Sequence, residues 1–172
     1  MIVLMAGLPG TGKTTLATEL AAKIGGRVLS KDEFRHAIFQ AEEVEYSSRQ
    51  DDFCSQLMLQ TADYLFGRNL KKTIFLDGRP FSRRYQIENV LTFANRLNQP
   101  WRILECVCPD EIVQRRLEPD TAAGHHPAGN RDFALYLHVR ARFEAITFSK
   151  LVIDTSQDLE QCVRRALPHI SN

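Results

Sequence analysis

The chain has 172 residues, of which 44% are hydrophobic and 25% are charged, and its 22 Lys and Arg residues against 21 Asp and Glu residues leave a formal net charge of +1. This composition predicts a single folded domain over residues 1–172 and excludes a disordered chain. The balanced charge argues against a long polyanion as the main ligand, so nucleic acid is not the expected partner, although a local basic groove is compatible with the sequence.

The sequence carries no signal of a membrane or secreted protein. No apolar run approaches the roughly 20 residues that a membrane span needs, and the N-terminal stretch has no basic region before its apolar residues. The cysteines lack CxxC spacing and lie in apolar segments, which predicts small buried side chains rather than metal ligands or disulfides. We therefore expect a cytoplasmic protein with no membrane partner. The cysteines are Cys54, Cys106, Cys108 and Cys162.

Short apolar runs alternate with helical stripes along the whole chain. The predicted strands are, in chain order, residues 2–6, 27–30, 73–76, 101–108 and 151–153. The predicted helices have their apolar stripes within residues 16–24, 32–39, 54–65, 87–97, 110–117, 136–146 and 159–166. Between them, the polar residues 40–48 predict a loop or a frayed helix end.

Five apolar strands separated by helices predict an α/β fold with a five-stranded parallel sheet and helices on both faces. A stretch rich in Gly, Pro and Ala over residues 119–129 predicts a mobile loop. The loop contains His125 and His126, but adjacent residues rarely converge on one ion, so no metal site is expected there.

The first strand runs into a phosphate-binding motif. Residues 7–14 match G-x-x-x-x-G-K-[ST] without a mismatch, between an apolar strand and an amphipathic helix. In such a loop, successive backbone N–H groups and the helix N-terminus face one phosphate group. Lys13 then reaches the β- and γ-phosphates of ATP, and the Thr14 hydroxyl is a ligand for Mg²⁺. The predicted nucleotide-binding residues here are Gly7, Leu8, Pro9, Gly10, Thr11, Gly12, Lys13, Thr14 and Thr15.

The second strand ends beside a candidate catalytic carboxylate. Asp32 and Arg35 are three residues apart, so both can project from the first turn of a helix toward the carboxyl edge of the sheet, where ligands bind. Next to a phosphate loop, Asp32 can accept the proton of an attacking hydroxyl. The alternative is that Asp32 only caps the helix and Arg35 is solvated.

The phosphate loop together with Asp32-x-x-Arg35 resembles a group of P-loop kinases. This group contains the polynucleotide 5′-hydroxyl kinase domain, zeta toxins, chloramphenicol phosphotransferase and many predicted kinases of the AAA_33 family. The resemblance covers nearly the whole chain and implies a P-loop NTPase fold that uses ATP and Mg²⁺. It implies that Asp32 is the general base and that Arg35 binds the acceptor or orients a phosphate.

The third strand ends at Asp77 and is followed by Arg79. The segment resembles a Walker B strand, so Asp77 could act on Mg²⁺ through a water or contact the acceptor, while a simple Asp-Gly turn is the alternative. Arg79, Arg83 and Arg84 could bind an anionic acceptor or be solvated, and the resemblance favours Arg79 as an acceptor contact.

The resemblance also implies that the loop after the helix of residues 110–117 is a short lid, over about residues 118–130. Two arginines would flank this lid, and another loop would lie beside the adenine. Arg116 precedes a leucine as the family pattern requires, and Arg131 fits the second position more loosely. Arginine suits this place because its planar fork grips phosphate oxygens in the transition state. Residues 153–156 would face the adenine, unless Thr155 or Ser156 only caps the last helix.

These features favour an ATP-dependent kinase that transfers the γ-phosphate to a hydroxyl of a small molecule. Two alternatives remain open at this stage. One is phosphorylation of the 5′-hydroxyl of a polynucleotide, and the other is a non-enzymatic, ATP-dependent switch that binds a partner protein.

Overall fold

A computed structural model describes the backbone of residues 1–123 and 132–171 and the side chains of residues 1–118 and 132–171. Five parallel strands form one sheet in the order β2-β3-β1-β4-β5, which confirms the predicted α/β architecture. The lid predicted over about residues 118–130 lies largely outside the described residues, as do His125 and His126. The strands are β1 (Ile2–Ala6), β2 (Arg27–Ser30), β3 (Ile74–Asp77), β4 (Trp101–Val107) and β5 (Leu151–Asp154).

The helices that connect these strands cover both faces of the sheet, and a short 3-10 turn (Ala41–Glu43) precedes the longest of them. The helices are α1 (Lys13–Ile24), α2 (Lys31–Ile38), α3 (Ser48–Arg68), α4 (Arg84–Arg96), α5 (Asp110–Ala123), α6 (Phe133–Ala141) and α7 (Leu159–Ile170). In the described ranges, no helix is both long enough and apolar enough to cross a membrane.

The central strand β1 is completely buried and contributes to both cores. Its side chains alternate between the two faces of the sheet, as the period of a strand requires. Ile2 and Leu4 pack with side chains of α3 and α4, whereas Val3 and Met5 pack with side chains of α1 and α7. This burial on both sides fixes the register of β1, and with it the position at which the phosphate loop leaves the sheet.

The cysteines behave as the sequence predicted. Cys54, Cys106 and Cys162 are buried, Cys108 is half-buried, and all four thiols are free. Burial raises the pKa of the Cys106 thiol to about 12, so this group is a neutral apolar side chain at physiological pH.

The prediction that one helix carries residues 136–146 is wrong at its C-terminal end, because α6 stops at Ala141. The next residues are instead tied to the start of α4. The Glu144 backbone N–H donates to the Ser82 carbonyl at 2.9 Å, and its carboxylate accepts from the Arg84 N–H at 2.7 Å. Ile146 is still buried in the core, but in a non-helical segment.

The last helix begins at Leu159, where its predicted apolar stripe starts. Asp158 is the N-cap of α7, and its Oδ1 accepts hydrogen bonds from the backbone N–H groups of Glu160 and Gln161. The alternative in which Thr155 or Ser156 caps this helix is therefore wrong. Helix α5 also continues to Ala123, past its expected end at Leu117.

We predict that Gly7→Ala strongly destabilises the fold. Gly7 has φ of 128°, and a Cβ at this residue would lie 2.3 Å from the carbonyl oxygen of Cys106 on β4. The free energy of unfolding, measured by urea denaturation, should fall by about 2 kcal/mol or more.

Gly67→Ala is the matched control for this substitution. Gly67 lies in α3 with open space around its Cα, so alanine should raise the free energy of unfolding by about 0.5–1 kcal/mol. Equal stability of the two variants would contradict the steric argument.

Candidate functional site

The loop between β1 and α1 forms a cradle for an anion. Gly12 is the N-cap of α1 with φ of 73°, and in the described part of the chain no side chain caps the helix or places an acid in its first turn. The cradle is held from within, since Thr11 Oγ1 and Lys13 Nζ donate to the Leu8 carbonyl oxygen at 2.8 and 2.7 Å. Open N–H groups at a helix N-terminus are suited to a phosphate group.

Thr14 and Asp77 meet at the carboxyl edge of the sheet. The Thr14 hydroxyl donates to Asp77 Oδ2 at 2.7 Å, and Asp77 is 1% exposed. Its Oδ1 is buried with no hydrogen-bond partner among the described residues. A hydroxyl beside an unsatisfied carboxylate oxygen is a donor set that fits Mg²⁺. The described ranges contain no group of three or more His, Cys, Asp or Glu side chains placed to hold a metal ion, so phosphates and water would complete the coordination.

The second strand delivers Asp32 to the same edge. Ser30 ends β2 opposite Asp77 in the β2–β3 register, and its hydroxyl accepts the Glu33 backbone N–H at 3.4 Å as the N-cap of α2. The strand-to-helix turn packs tightly on Gly78, where a Cβ would lie 2.9 Å from the Lys31 nitrogen. Because β2, β3 and β1 are adjacent, Asp32 leaves the sheet two strand spacings, roughly 10 Å, from the cradle.

The alternative in which Asp32 caps the helix and Arg35 is solvated is therefore wrong, since Ser30 is the cap and Arg35 is 0% exposed. Arg35 Nη1 donates to Asp32 Oδ1 at 2.7 Å, and its Nη2 pairs with Asp51 of α3. Asp51 also accepts from Lys31 Nζ at 2.7 Å. One carboxylate of α3 thus orients two basic side chains beside Asp32.

Of the three arginines predicted after β3, Arg79 is the buried one. Its Nη2 donates to Asp52 at 2.5 Å and its Nη1 to the Ser55 hydroxyl at 2.9 Å. Arg83 and Arg84 lie at the start of α4, where partly exposed side chains pair with glutamates of the surface. The structure therefore separates Arg79 from its two neighbours.

The side chains at the ends of β2 and β3 and those of the cradle line one cavity of about 140 Å³. Its lining joins the cradle to the second and third strands, and the apolar side chains of Pro9, Leu135 and Val139 form part of its wall. The predicted site residues that line it are Pro9, Lys13, Thr14, Asp32, Arg35, Asp77 and Arg79. The sequence-predicted base, cradle and acceptor contacts are thus brought together.

A second cavity, of about 620 Å³, lies on the other side of the cradle, and Thr14 and Thr15 line it. Arg116 enters its wall, where Nη2 donates to the Thr155 carbonyl at 2.7 Å and Nη1 to the Thr155 hydroxyl at 3.3 Å. Thr155 Oγ1 in turn donates to the Thr11 carbonyl at 2.8 Å. Thr155 therefore links Arg116 and the loop after β5 to the cradle. Arg131, the second predicted lid arginine, lies outside the described residues.

Sequence analysis missed Lys31, Asp51 and Asp52, although all three contact predicted site residues. The two aspartates stand in the first turns of α3, where acids are common because they favour the helix dipole. The sequence does show two adjacent acids near the N-terminus of a helix. This pattern alone does not predict which basic side chain each acid contacts.

Comparison with known proteins decides the family. A model of the AAA_33 family, an AAA domain, matches residues 2–146. The chain belongs to the AAA_33 family. No curated protein sequence matches it.

Solved structures with the same fold cover almost all of this AAA_33 chain. A kinase candidate from Chloroflexus aurantiacus aligns with a TM-score of 0.77 and 22% identity over 98% of this chain and 97% of that chain. APS kinase CysC from Mycobacterium tuberculosis, in complex with AMPPNP and APS, has a TM-score of 0.74 and 14% identity over 99% and 97%. Kti12 from Chaetomium thermophilum, in complex with ADP-AlF3, has a TM-score of 0.71 and 16% identity over 99% and 97%. At these identities the likeness establishes the fold, which is that of P-loop kinases.

We predict that Asp77→Asn weakens the Mg²⁺-dependent part of AMPPNP binding. Removing one charge from the buried carboxylate should lower the affinity for Mg²⁺ by about 10- to 100-fold. Calorimetric titrations with AMPPNP in Mg²⁺ and in EDTA measure the effect. The affinity in EDTA serves as the internal control and should stay at the wild-type value, and an unchanged ratio of the two affinities would contradict the assignment of Asp77.

Proposed function

We propose that this protein is an ATP-dependent kinase that transfers the γ-phosphate of ATP to a hydroxyl group of a small-molecule acceptor. The observation that carries the proposal is one cavity that Asp32 lines together with Lys13 and Thr14 of the phosphate cradle. A carboxylate across a short gap from a terminal phosphoryl group is the arrangement that hydroxyl phosphorylation needs.

The phosphate side of the site is assigned to the cradle and to Arg116. Residues 7–15 bind the phosphates of ATP, with Lys13 on the β- and γ-phosphate oxygens. Arg116, on the wall of the second cavity, stabilises negative charge on the transferring group, because a guanidinium offers several fixed donors to phosphate oxygens. Thr14 and Asp77 would hold Mg²⁺, which neutralises charge on the β- and γ-phosphates when bound.

The acceptor side is assigned to Asp32 and its neighbours. The acceptor oxygen attacks the γ-phosphorus, a new P–O bond forms, and the bond to the bridging oxygen of ADP breaks. The proton of the hydroxyl goes to Asp32, and ADP leaves. The described hydrogen bond from Arg35 goes to Asp32 Oδ1, so we assign Oδ2 to the incoming hydroxyl. Arg35 and Arg79 orient the acceptor, and Arg131 remains a proposed contact from beyond the lid.

Support for a small acceptor comes from the size of the cavity. A volume of about 140 Å³ is below the roughly 300–1,000 Å³ of sites for drug-sized ligands. The fold likeness to APS kinase and to a gluconokinase from Sinorhizobium meliloti agrees with kinase chemistry, and the acceptors named there belong to those proteins alone.

The assignment predicts that Asp32→Asn keeps nucleotide binding and loses most phosphoryl transfer. The loss should be about 10²- to 10⁴-fold in kcat, because a general base contributes on this scale. A screen of hydroxyl compounds for ADP release above the hydrolysis background first identifies an acceptor, and AMPPNP titration then tests nucleotide binding by the variant.

Glu33→Gln is the matched control, since Glu33 is the next acid in the same helix turn but is exposed. Its transfer rate should equal that of the wild type. A wild-type rate in Asp32→Asn would remove Asp32 as the base.

A further inference from the structure

The walls of the acceptor cavity contain three basic side chains beyond the phosphate cradle, and each is almost completely buried. The side chains of Lys31, Arg35 and Arg79 are 8%, 0% and 6% exposed. A cation in this position attracts an anionic acceptor only if its charge is not already neutralised by the protein. The contacts of these three side chains therefore decide which acceptors the cavity favours.

All three cations are paired with carboxylates. Asp32 and Asp51 line the same cavity, and Asp52 lies beside it on α3. Lys31 Nζ lies 2.7 Å from Asp51 Oδ1 and 3.5 Å from Asp32 Oδ1. Arg35 pairs with both of these aspartates through its two terminal nitrogens. Three aspartates therefore match three cations, the third pair being Arg79 with Asp52.

From this balance we infer that the acceptor is an uncharged, hydroxyl-bearing molecule rather than a carboxylate or a phosphate ester. The inference rests on the proposed kinase function and concerns the walls formed by the described residues. A carboxylate or phosphate would have to compete with the aspartates that already pair with Arg35 and Arg79. A displaced aspartate would lose its charge partner while buried, as Asp32 is, or partly buried, as Asp52 is.

Hydroxyl groups suit such a cavity because each can donate to a carboxylate oxygen and accept from an ammonium or guanidinium at the same time. An uncharged acceptor thus uses both members of an ion pair without separating them. The apolar side chains of Pro9, Leu135 and Val139 on the wall fit the carbon skeleton of such a molecule.

The test compares an uncharged polyol with its carboxylate counterpart on protein saturated with ADP and Mg²⁺, so that the cradle is filled. D-glucitol and D-gluconate have the same number of carbons and differ in charge. In calorimetric titrations, the wild type should bind D-gluconate no more tightly than D-glucitol. Tighter binding of D-gluconate by about tenfold would overturn the inference.

Asp52→Asn then tests whether ion pairing is the reason. Releasing Arg79 from its carboxylate should tighten the binding of D-gluconate by about tenfold, because hydrogen bonds to a free guanidinium are charge-assisted. Binding of D-glucitol should change by much less than tenfold, because the asparagine keeps an oxygen that accepts a hydrogen bond from a hydroxyl. Asp51→Asn, which removes the carboxylate shared by Lys31 and Arg35, should shift the preference in the same direction. If neither folded variant gains affinity for D-gluconate, the inference is wrong.

Asp63→Asn is the control for the change in net charge. Asp63 lies on the same helix α3 but is exposed and pairs with Arg96 at 3.4 Å on the surface. This variant should bind both compounds as the wild type does. Turnover is measured separately as ADP release with pairs of charged and uncharged acceptors. Failure of every acceptor would overturn the kinase proposal, while the binding comparison still decides the charge preference.

Discussion

The architecture of the site depends on one steric constraint, the turn that carries the chain from the buried strand β1 into α1. The turn leaves no room for a side chain at Gly7, because the Cys106 carbonyl of the neighbouring strand lies against it. Because the turn at Gly7 packs closely against β4, the loop stays near the carboxyl ends of the strands. The N–H groups at the start of α1 then face the solvent side of this edge. The neighbouring strand ends then surround this point, with Asp77 on one side and the β4 edge on the other.

Much of this arrangement could be predicted because its signals are local. The apolar run of β1, the glycine spacing of the loop and the Asp32-x-x-Arg35 element each lie within a few residues, and parallel strands bring their carboxyl ends to one edge. The partners of these residues could not be predicted in the same way. Asp51 reaches Arg35 across 16 residues, and Thr155 reaches Thr11 across 144. No periodicity encodes such contacts.

The wrong predictions have the same origin. An apolar stripe over residues 136–146 has helical spacing, but the Glu144 contacts with α4 override this preference after Ala141. Thr155 has a hydroxyl that could cap a helix, yet this hydroxyl donates to carbonyl oxygens of the cradle and of β4. In both cases tertiary hydrogen bonds replace the local ones that the sequence suggests.

Two cavities meet at the cradle, and Thr155 connects the larger of them to it. One wall of the larger cavity comes from the loop after β5 and the start of α7, whereas the smaller cavity is lined by α2, α3, α6 and the end of β3. Among the described residues, Thr14 at the start of α1 lines both cavities. In the kinase that we propose, substitutions in α2 and α3 can therefore change the acceptor cavity while the contacts of the larger cavity are kept, which makes this scaffold suited to acquiring new specificities.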